Sequence, residues 1–406
     1  MPSATRDHAA TTSAAEPATR RGPLHGVRVL DLSSVGPAAR CTRLLADYGA
    51  DVVKVGPVPS ATDVRIEPPF FAYSGHRGMR RVCVELKVEE GRQAFLALAA
   101  RSDVVVESFR PGVVDRLGIG YEAVRAVNPA VVYCSTSGYG QTGARAGWAG
   151  HDLDYLAVGG YLGSSGPRAD GGPPLPGATV ADAAAGGMHA ALAIAASLAG
   201  RNATGEGAYL DVSVADGVLW LMSLAVDEHL ATGAEPGPGH DILSGRYACY
   251  DTYRAADGGW LAVAAIEPKF FANLCRALGC EQWVGRQLDD DAQEAIRADF
   301  AAAIATGDRD HWVALLAGAD TCVAPVQSVA EAAADDGFTG RGAVVEARHP
   351  TRGTFRQVGP VLAGMAPTTG TVELPDPNAT DTEELLLEAG VESRVLAGWL
   401  ERGAVA

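Results

Sequence analysis

Apolar residues follow two rhythms along the first third of the chain. Short runs rich in β-branched residues occur at 27–32 (Val27-Arg28-Val29-Leu30-Asp31-Leu32), 51–55, 82–86, 104–107 and 131–135, and each predicts a strand. Between them the apolar positions recur at helical spacing. Cys41, Leu44, Leu45 and Tyr48 share one face of a predicted helix over 38–48, ended by Gly49. Further helices are predicted over 89–101 and 121–127. Strand alternating with helix predicts an α/β fold: a parallel sheet of Rossmann-like type covered by helices. The first strand-to-helix turn, Ser33-Ser34-Val35-Gly36-Pro37, carries one glycine and lacks Gly-x-Gly-x-x-Gly, which argues against a bound dinucleotide.

The pattern changes past the middle of the chain. Ala183 to Leu198 predicts a small-residue helix, with Asp182 as its N-cap. Ala234-Glu235-Pro236-Gly237-Pro238-Gly239 has the composition of a linker. Beyond it, 248–253 and 260–264 predict paired strands around the Asp257-Gly258-Gly259 turn, followed by helices near 269–278, 289–306 and 309–317. A second, smaller α+β domain is therefore expected, as the length of 406 residues also suggests.

Composition narrows the function classes. A net charge of −16 argues against nucleic acid and anionic membrane surfaces as partners. No apolar stretch reaches a charge-free bilayer span, so no membrane partner is expected. The seven cysteines are scattered without metal-ligand spacing, which predicts a reduced, cytoplasmic protein with no metal site. Residues 1–22, rich in Ala, Thr, Ser and Arg, predict a disordered tail.

Several motifs then carry a resemblance. They are Leu30-Asp31-Leu32, Tyr48-Gly49-Ala50-Asp51, Glu107-Ser108-Phe109-Arg110-Pro111-Gly112, Ser137-Gly138-Tyr139-Gly140-Gln141-Thr142-Gly143, Gly150-His151-Asp152-Leu153-Asp154-Tyr155, Ala181-Asp182-Ala183 before Gly186-Gly187, and Ala265-Ile266-Glu267-Pro268. In this order and spacing the chain resembles the family III CoA-transferase superfamily, and within it the α-methylacyl-CoA racemases. The resemblance implies a large Rossmann-like domain (23–230), a linker and small α+β domain (231–345), and a return segment (346–406) packing on the large domain. It also implies an interlocked homodimer, with each active site shared between subunits.

The implied substrate is an acyl-CoA thioester, with coenzyme A part of the substrate and no resident cofactor. Inverting the α-carbon of a 2-methyl-branched acyl-CoA requires a proton to leave one face and return on the other, with an enolate between. By resemblance, His151 and Asp182 are the two acid/base groups, Glu267 orients the histidine, and Asp152 shares that task. A histidine in such a loop can equally be structural, and Asp182 can be a simple helix cap; free amides beside it would suit the enolate oxygen. The resemblance places the CoA phosphates near Arg65, Arg110 and Arg116, and adenine against the backbone of Val84, Glu85 and Leu86. In a transferase of the same superfamily the residue matching Asp182 is instead a nucleophile that forms acyl-anhydride and thioester intermediates. A third reading is a non-catalytic acyl-CoA-binding protein.

Overall fold

The computed structural model describes residues 22–59, 68–360, 362–376 and 378–406. The tail expected at 1–22 and Arg65 thus lie outside the described residues, apart from Gly22, which packs on the Tyr48 carbonyl.

Six parallel strands form the principal sheet, in the order β3-β2-β1-β4-β5-β6. They are β1 (Arg28–Asp31), β2 (Asp51–Gly56), β3 (Met79–Cys83), β4 (Val104–Glu107), β5 (Val132–Ser137) and β6 (Ala208–Ser213). The sheet is parallel and covered as expected: Val29 and Leu30 of β1 and Val104, Val105 and Val106 of β4 are fully buried. Two expectations are corrected. The third strand does not reach Leu86: it ends where Cys83 pairs with Gly56, and Val84 instead bridges Val405 near the C-terminus. The sheet also does not close at β5, since β6 joins it after the Asp182 helix.

One face of the sheet packs on the helices Glu89–Ala99, Thr382–Glu388 and Ser393–Glu401, where Leu30, Phe95, Val105, Leu385, Leu386 and Trp399 form one core. The other face packs on the helix Gly36–Asp47 and on Ala190, Ile194 and Leu198 of a helical run spanning Ala181–Thr204. That run is long and apolar enough to cross a membrane by length and composition alone, but only a third of its most apolar stretch is buried. Arg201 at its end pairs with Asp103 at 2.7 Å, tying it to the sheet.

Two small sheets follow. In the first, β7 (Tyr250–Arg254) and β8 (Trp260–Ala264) form the expected antiparallel pair, extended by β9 (Val323–Pro325). They pack on the helices Pro268–Ala277, Gln293–Ile304 and Arg309–Leu316 through Leu261, Phe271, Phe300 and Trp312. In the second, β10 (Val344–His349) lies between β11 (Gly353–Val358) and β12 (Thr371–Glu373).

Two outcomes follow from the packing. Trp399, 6% exposed, lies in the main core although it is close to the chain end. Trp399→Ala should cost about 3–5 kcal/mol in urea unfolding, with loss in a single transition rather than local fraying of the terminus. Glu107 ends β4 at 1% exposure and accepts from the Phe109 amide at 2.7 Å. Burial raises its pKa to about 7, against the smaller opposing pull of the Ser135 and Phe109 hydrogen bonds. A carboxyl raised on folding stabilises most below its ordinary pKa and loses that contribution as pH rises through the folded value. Stability should therefore fall between about pH 4.5 and 7, and Glu107→Gln should flatten that slope in melting curves taken across the range.

Candidate active site

Three helices meet at the C-terminal edge of the sheet, and small residues let their backbones touch. The Ala181–Thr204 run opens as a π-helix, Ala181–Met188, before continuing as an α-helix, His189–Thr204. A Cβ on Gly186 would lie 2.5 Å from the Pro37 Cβ, and one on Gly187 would lie 2.8 Å from the Arg40 Cβ. On the other side, Gly217 in the helix Val214–Leu221 presses on the Ala185 carbonyl, at 2.2 Å from a Cβ it lacks. A π-turn of this kind inserts an extra residue per turn and often marks a functional site.

Asp182 stands in the first turn of this helix. It is not the N-cap: Val180 already has helical dihedrals, and Ala183 N–H donates to Thr179 O at 3.0 Å. The Asp182 carboxyl is raised in pKa by partial burial and by neighbouring Asp152, with Arg40 and His151 pulling the other way. Its backbone amide donates to Asp152 Oδ1 at 2.8 Å. The amide expected to face an enolate oxygen is therefore already engaged.

His151 and Asp152 begin the helix Asp152–Val158, with His151 as its extended N-cap residue. The His151 amide donates to Asp154 Oδ2 at 2.9 Å, so Asp154 acts here as a helix-start acceptor. Tyr155, from the same helix, donates to the Gly150 carbonyl at 2.5 Å and packs against Tyr139. Gly138 and Gly150 leave room for that ring, since a Cβ on either would lie within 3 Å of it. His151 is exposed, while Asp152 is partly buried against the Asp182 amide. The structure thus brings His151, Asp152 and Asp182 together.

Glu267 is not brought to them within one chain. It is the exposed N-cap of the helix Pro268–Ala277 beside β8, and no hydrogen bond or ion pair joins it to His151, Asp152 or Asp182 among the described residues. Arg110 and Arg116 are both exposed, near the glycine turn at Gly112, and neither has an ion-pair partner among the described residues. The backbone of Val84 and Glu85 is largely committed: Val84 N–H donates to Gly56 O at 2.8 Å and Glu85 N–H to Ala404 O at 2.9 Å. Leu86 lies beyond the strand, partly buried against the main core.

Two neighbours of Asp182 escaped the sequence reading. Arg40 donates to Thr179 Oγ1 at 2.6 Å, has a buried Nε without a partner among the described residues, and is the cation that draws on Asp182. Its only sequence signal is a charge among small residues one turn into the first helix. Tyr73 accepts the Gly36 amide at 2.8 Å, beside the carboxylate, and no local motif announces it. Among the described residues no group of His, Cys, Asp and Glu is arranged to hold a metal.

The chain as a whole has counterparts. Residues 24–382 match the family described as CoA-transferase family III. Alpha-methylacyl-CoA racemase from Homo sapiens is 35% identical over 323 residues, covering 79% of this chain and 82% of that protein. Succinyl-CoA:mesaconate CoA-transferase from Haloarcula hispanica is 34% identical over 398 residues, covering 91% and 97%. Among solved structures, a CAIB/BAIF family protein from Brucella suis superposes with a TM-score of 0.74 at 26% identity, over 92% of this chain and all of that one. With nearly its whole parallel-sheet unit, its Asp182 helix and its small sheets inside the matched span, the chain belongs to the family III CoA-transferases.

Proposed function

We propose that the protein is an acyl-CoA epimerase that inverts the α-carbon of a 2-methyl-branched acyl-CoA through an enolate. The observation that carries this reading is the hydrogen bond from the Asp182 amide to Asp152, which ties the His151-Asp152 pair to Asp182. Two acid/base groups of different kind then flank one site. In this mechanism one removes the α-proton and the other supplies a proton to the opposite face. The raised pKa of Asp182 brings it nearer the range in which a carboxyl both gives and takes a proton. No metal or resident cofactor takes part; coenzyme A enters and leaves with the acyl group.

Arg110 and Arg116 are proposed as phosphate ligands, supported by their exposure and lack of acidic partners among the described residues. Arg65 and the Val84-Glu85-Leu86 backbone are proposed alongside them. We take 23–230 as the large unit, 231–345 as the linker and small unit, and 346–406 as the return segment. Glu267 reaches His151 only if a second subunit supplies it, so a shared-site homodimer belongs to this reading. The exposed Leu192, Trp220 and Leu224, at 69%, 75% and 77%, give such a partner an apolar face to cover. A reducing cytoplasm suits the seven free thiols, six of them buried.

A second reading has specific support. The relative named as a CoA-transferase covers more of this chain, 91% against 79% for the racemase. Arg40 beside Asp182 would also suit a free carboxylate acceptor. In that reaction Asp182 attacks the thioester carbonyl and CoA leaves as thiolate. The thiolate attacks the Asp182 carbonyl of the mixed anhydride, releasing the donor acid and leaving an Asp182-CoA thioester. The acceptor carboxylate then displaces the thiolate to form a second anhydride, and the thiolate attacks its acceptor carbonyl, giving the new acyl-CoA and freeing Asp182.

Incubation with 2-methyldecanoyl-CoA in deuterated water separates the two. The epimerase incorporates deuterium at the α-carbon with no acceptor acid, and Asp182→Asn lowers that rate by roughly 10²- to 10⁴-fold while binding persists. CoA transfer to added succinate without α-exchange, with hydroxylamine converting the activated Asp182 carboxyl to a hydroxamate during turnover, would establish the transferase instead. Assembly has its own check. Asp182→Ala and Glu267→Ala chains, each inactive alone, should regain part of the activity when co-refolded, but not when intact dimers are mixed. A fully active monomer by light scattering would overturn the shared site.

A further inference from the structure

The charge that develops on a thioester oxygen needs a hydrogen-bond donor, and two backbone candidates at Asp182 are occupied. The Asp182 amide is held by Asp152 and the Ala183 amide by the Thr179 carbonyl. A side-chain donor stands nearby. Tyr73 Oη accepts the Gly36 amide at 2.8 Å, which uses its acceptor side. Its own O–H has no acceptor among the described residues. Gly36 stands between the two groups: a Cβ there would lie 4.0 Å from Asp182 Oδ2. The phenol oxygen and the carboxylate are therefore no more than about 9 Å apart by ordinary bond lengths. A donor, a thioester oxygen, its α-carbon and a base set end to end span a comparable distance.

The backbone that delivers Tyr73 is costly. Tyr73, Ser74, Gly75 and His76 all have positive φ, at 48°, 54°, 60° and 55°. Residues with a Cβ adopt that conformation only at a cost, because the Cβ crowds the following carbonyl oxygen. Such a run persists only where its surroundings hold it, and here they do. Upstream, Phe70 packs edge-on to Phe71, His349 and Phe355, anchoring the segment on the β10–β11 pair. Downstream, buried Arg77 pairs with Asp47 at 2.9 Å and donates to the Val358 carbonyl at 2.6 Å, while Arg43 donates to the Arg77 carbonyl at 2.5 Å. The ring itself is clasped between Arg40, 5.7 Å from its centroid, and His76, stacked at 6.2 Å. A helix start needs no such construction to be capped, because serine or aspartate does it locally.

We propose that Tyr73 is a catalytic hydrogen-bond donor that stabilises the carbonyl oxygen of the bound thioester as it becomes negative. This rests on the reading above that Asp182 marks the reacting carbon. As the α-proton leaves for a base, its electron pair moves into the new C–C double bond and onto the carbonyl oxygen. Tyr73 shares its proton with that oxygen and keeps it when the second base returns a proton to carbon.

The test uses the full-length enzyme with 2-methyldecanoyl-CoA in deuterated water. Tyr73→Phe should lower kcat by about 10²- to 10³-fold, the loss typical of removing one such donor, with a much smaller change in KM. Replacing Tyr73 by 3-fluorotyrosine and by 2,3-difluorotyrosine keeps the acceptor for Gly36 while making the phenol more acidic. For a donor, kcat should shift in step with that acidity at constant melting temperature. Near wild-type exchange in Tyr73→Phe would overturn the proposal and leave the epimerase reading standing. So would a loss that tracks a lowered melting temperature and ignores the fluorine series, which identifies a helix cap only. If the wild type transfers CoA without exchange, the epimerase reading falls. Tyr73 is then scored on transfer, where the same oxygen bears the charge of the tetrahedral intermediate, with the same outcomes deciding.

Discussion

The first helix and the Asp182 helix touch backbone to backbone, because Gly186 and Gly187 place no side chain between them. Pro37 and Arg40 fill the space that larger residues would claim, and Gly217 brings a third helix onto the Ala185 carbonyl. The position of the Asp182 carboxyl, the reach of Arg40 and the Gly36 corner all follow from that contact. The first helix is in turn aimed by Asp31, fully buried at the end of β1. Its carboxylate takes the Ser33 amide at 2.8 Å, the Thr42 hydroxyl, and the Lys54 ammonium at 2.8 Å. A buried carboxylate is tolerable there because donors surround it. Removing any one of them would loosen the turn on which the site is built.

The local electrostatics run against the chain's overall sign. A protein of net charge −16 sets Arg40 beside Asp182 and leaves Arg110 and Arg116 without acidic partners among the described residues. Elsewhere most arginines are spent on structure. Arg28, Arg80, Arg77 and Arg297 each lie within ion-pair distance of an aspartate. Cations free of such duties are the ones available to an anionic substrate.

Much of the parallel sheet was legible because β1, β2 and β4 are short apolar runs separated by clear helical periods. The catalytic candidates were legible only through resemblance, since His151, Asp152 and Asp182 are 31 positions apart at most and nothing in their spacing requires contact. What escaped has physical reasons. β6 alternates between partly buried and exposed residues as an edge strand, and only pairing with β5 gives it meaning. β9 has three residues, too few for a period. The left-handed run at Tyr73 uses tyrosine, serine and histidine where glycine or asparagine would signal it, so tertiary bracing overrides local preference. The N-cap expectation at Asp182 failed because a π-helix starts one turn earlier than a capping rule assumes.

The bond between the Asp182 amide and Asp152 works as a calliper. One jaw is the start of the helix Asp152–Val158, which carries His151; the other is the first turn of the π-helix, which carries Asp182. Because the link runs through main chain on one side and a short side chain on the other, it sets the start of the Asp152–Val158 helix against the first turn of the π-helix. A change at Asp152 would therefore be felt at both His151 and Asp182, although neither side chain is altered.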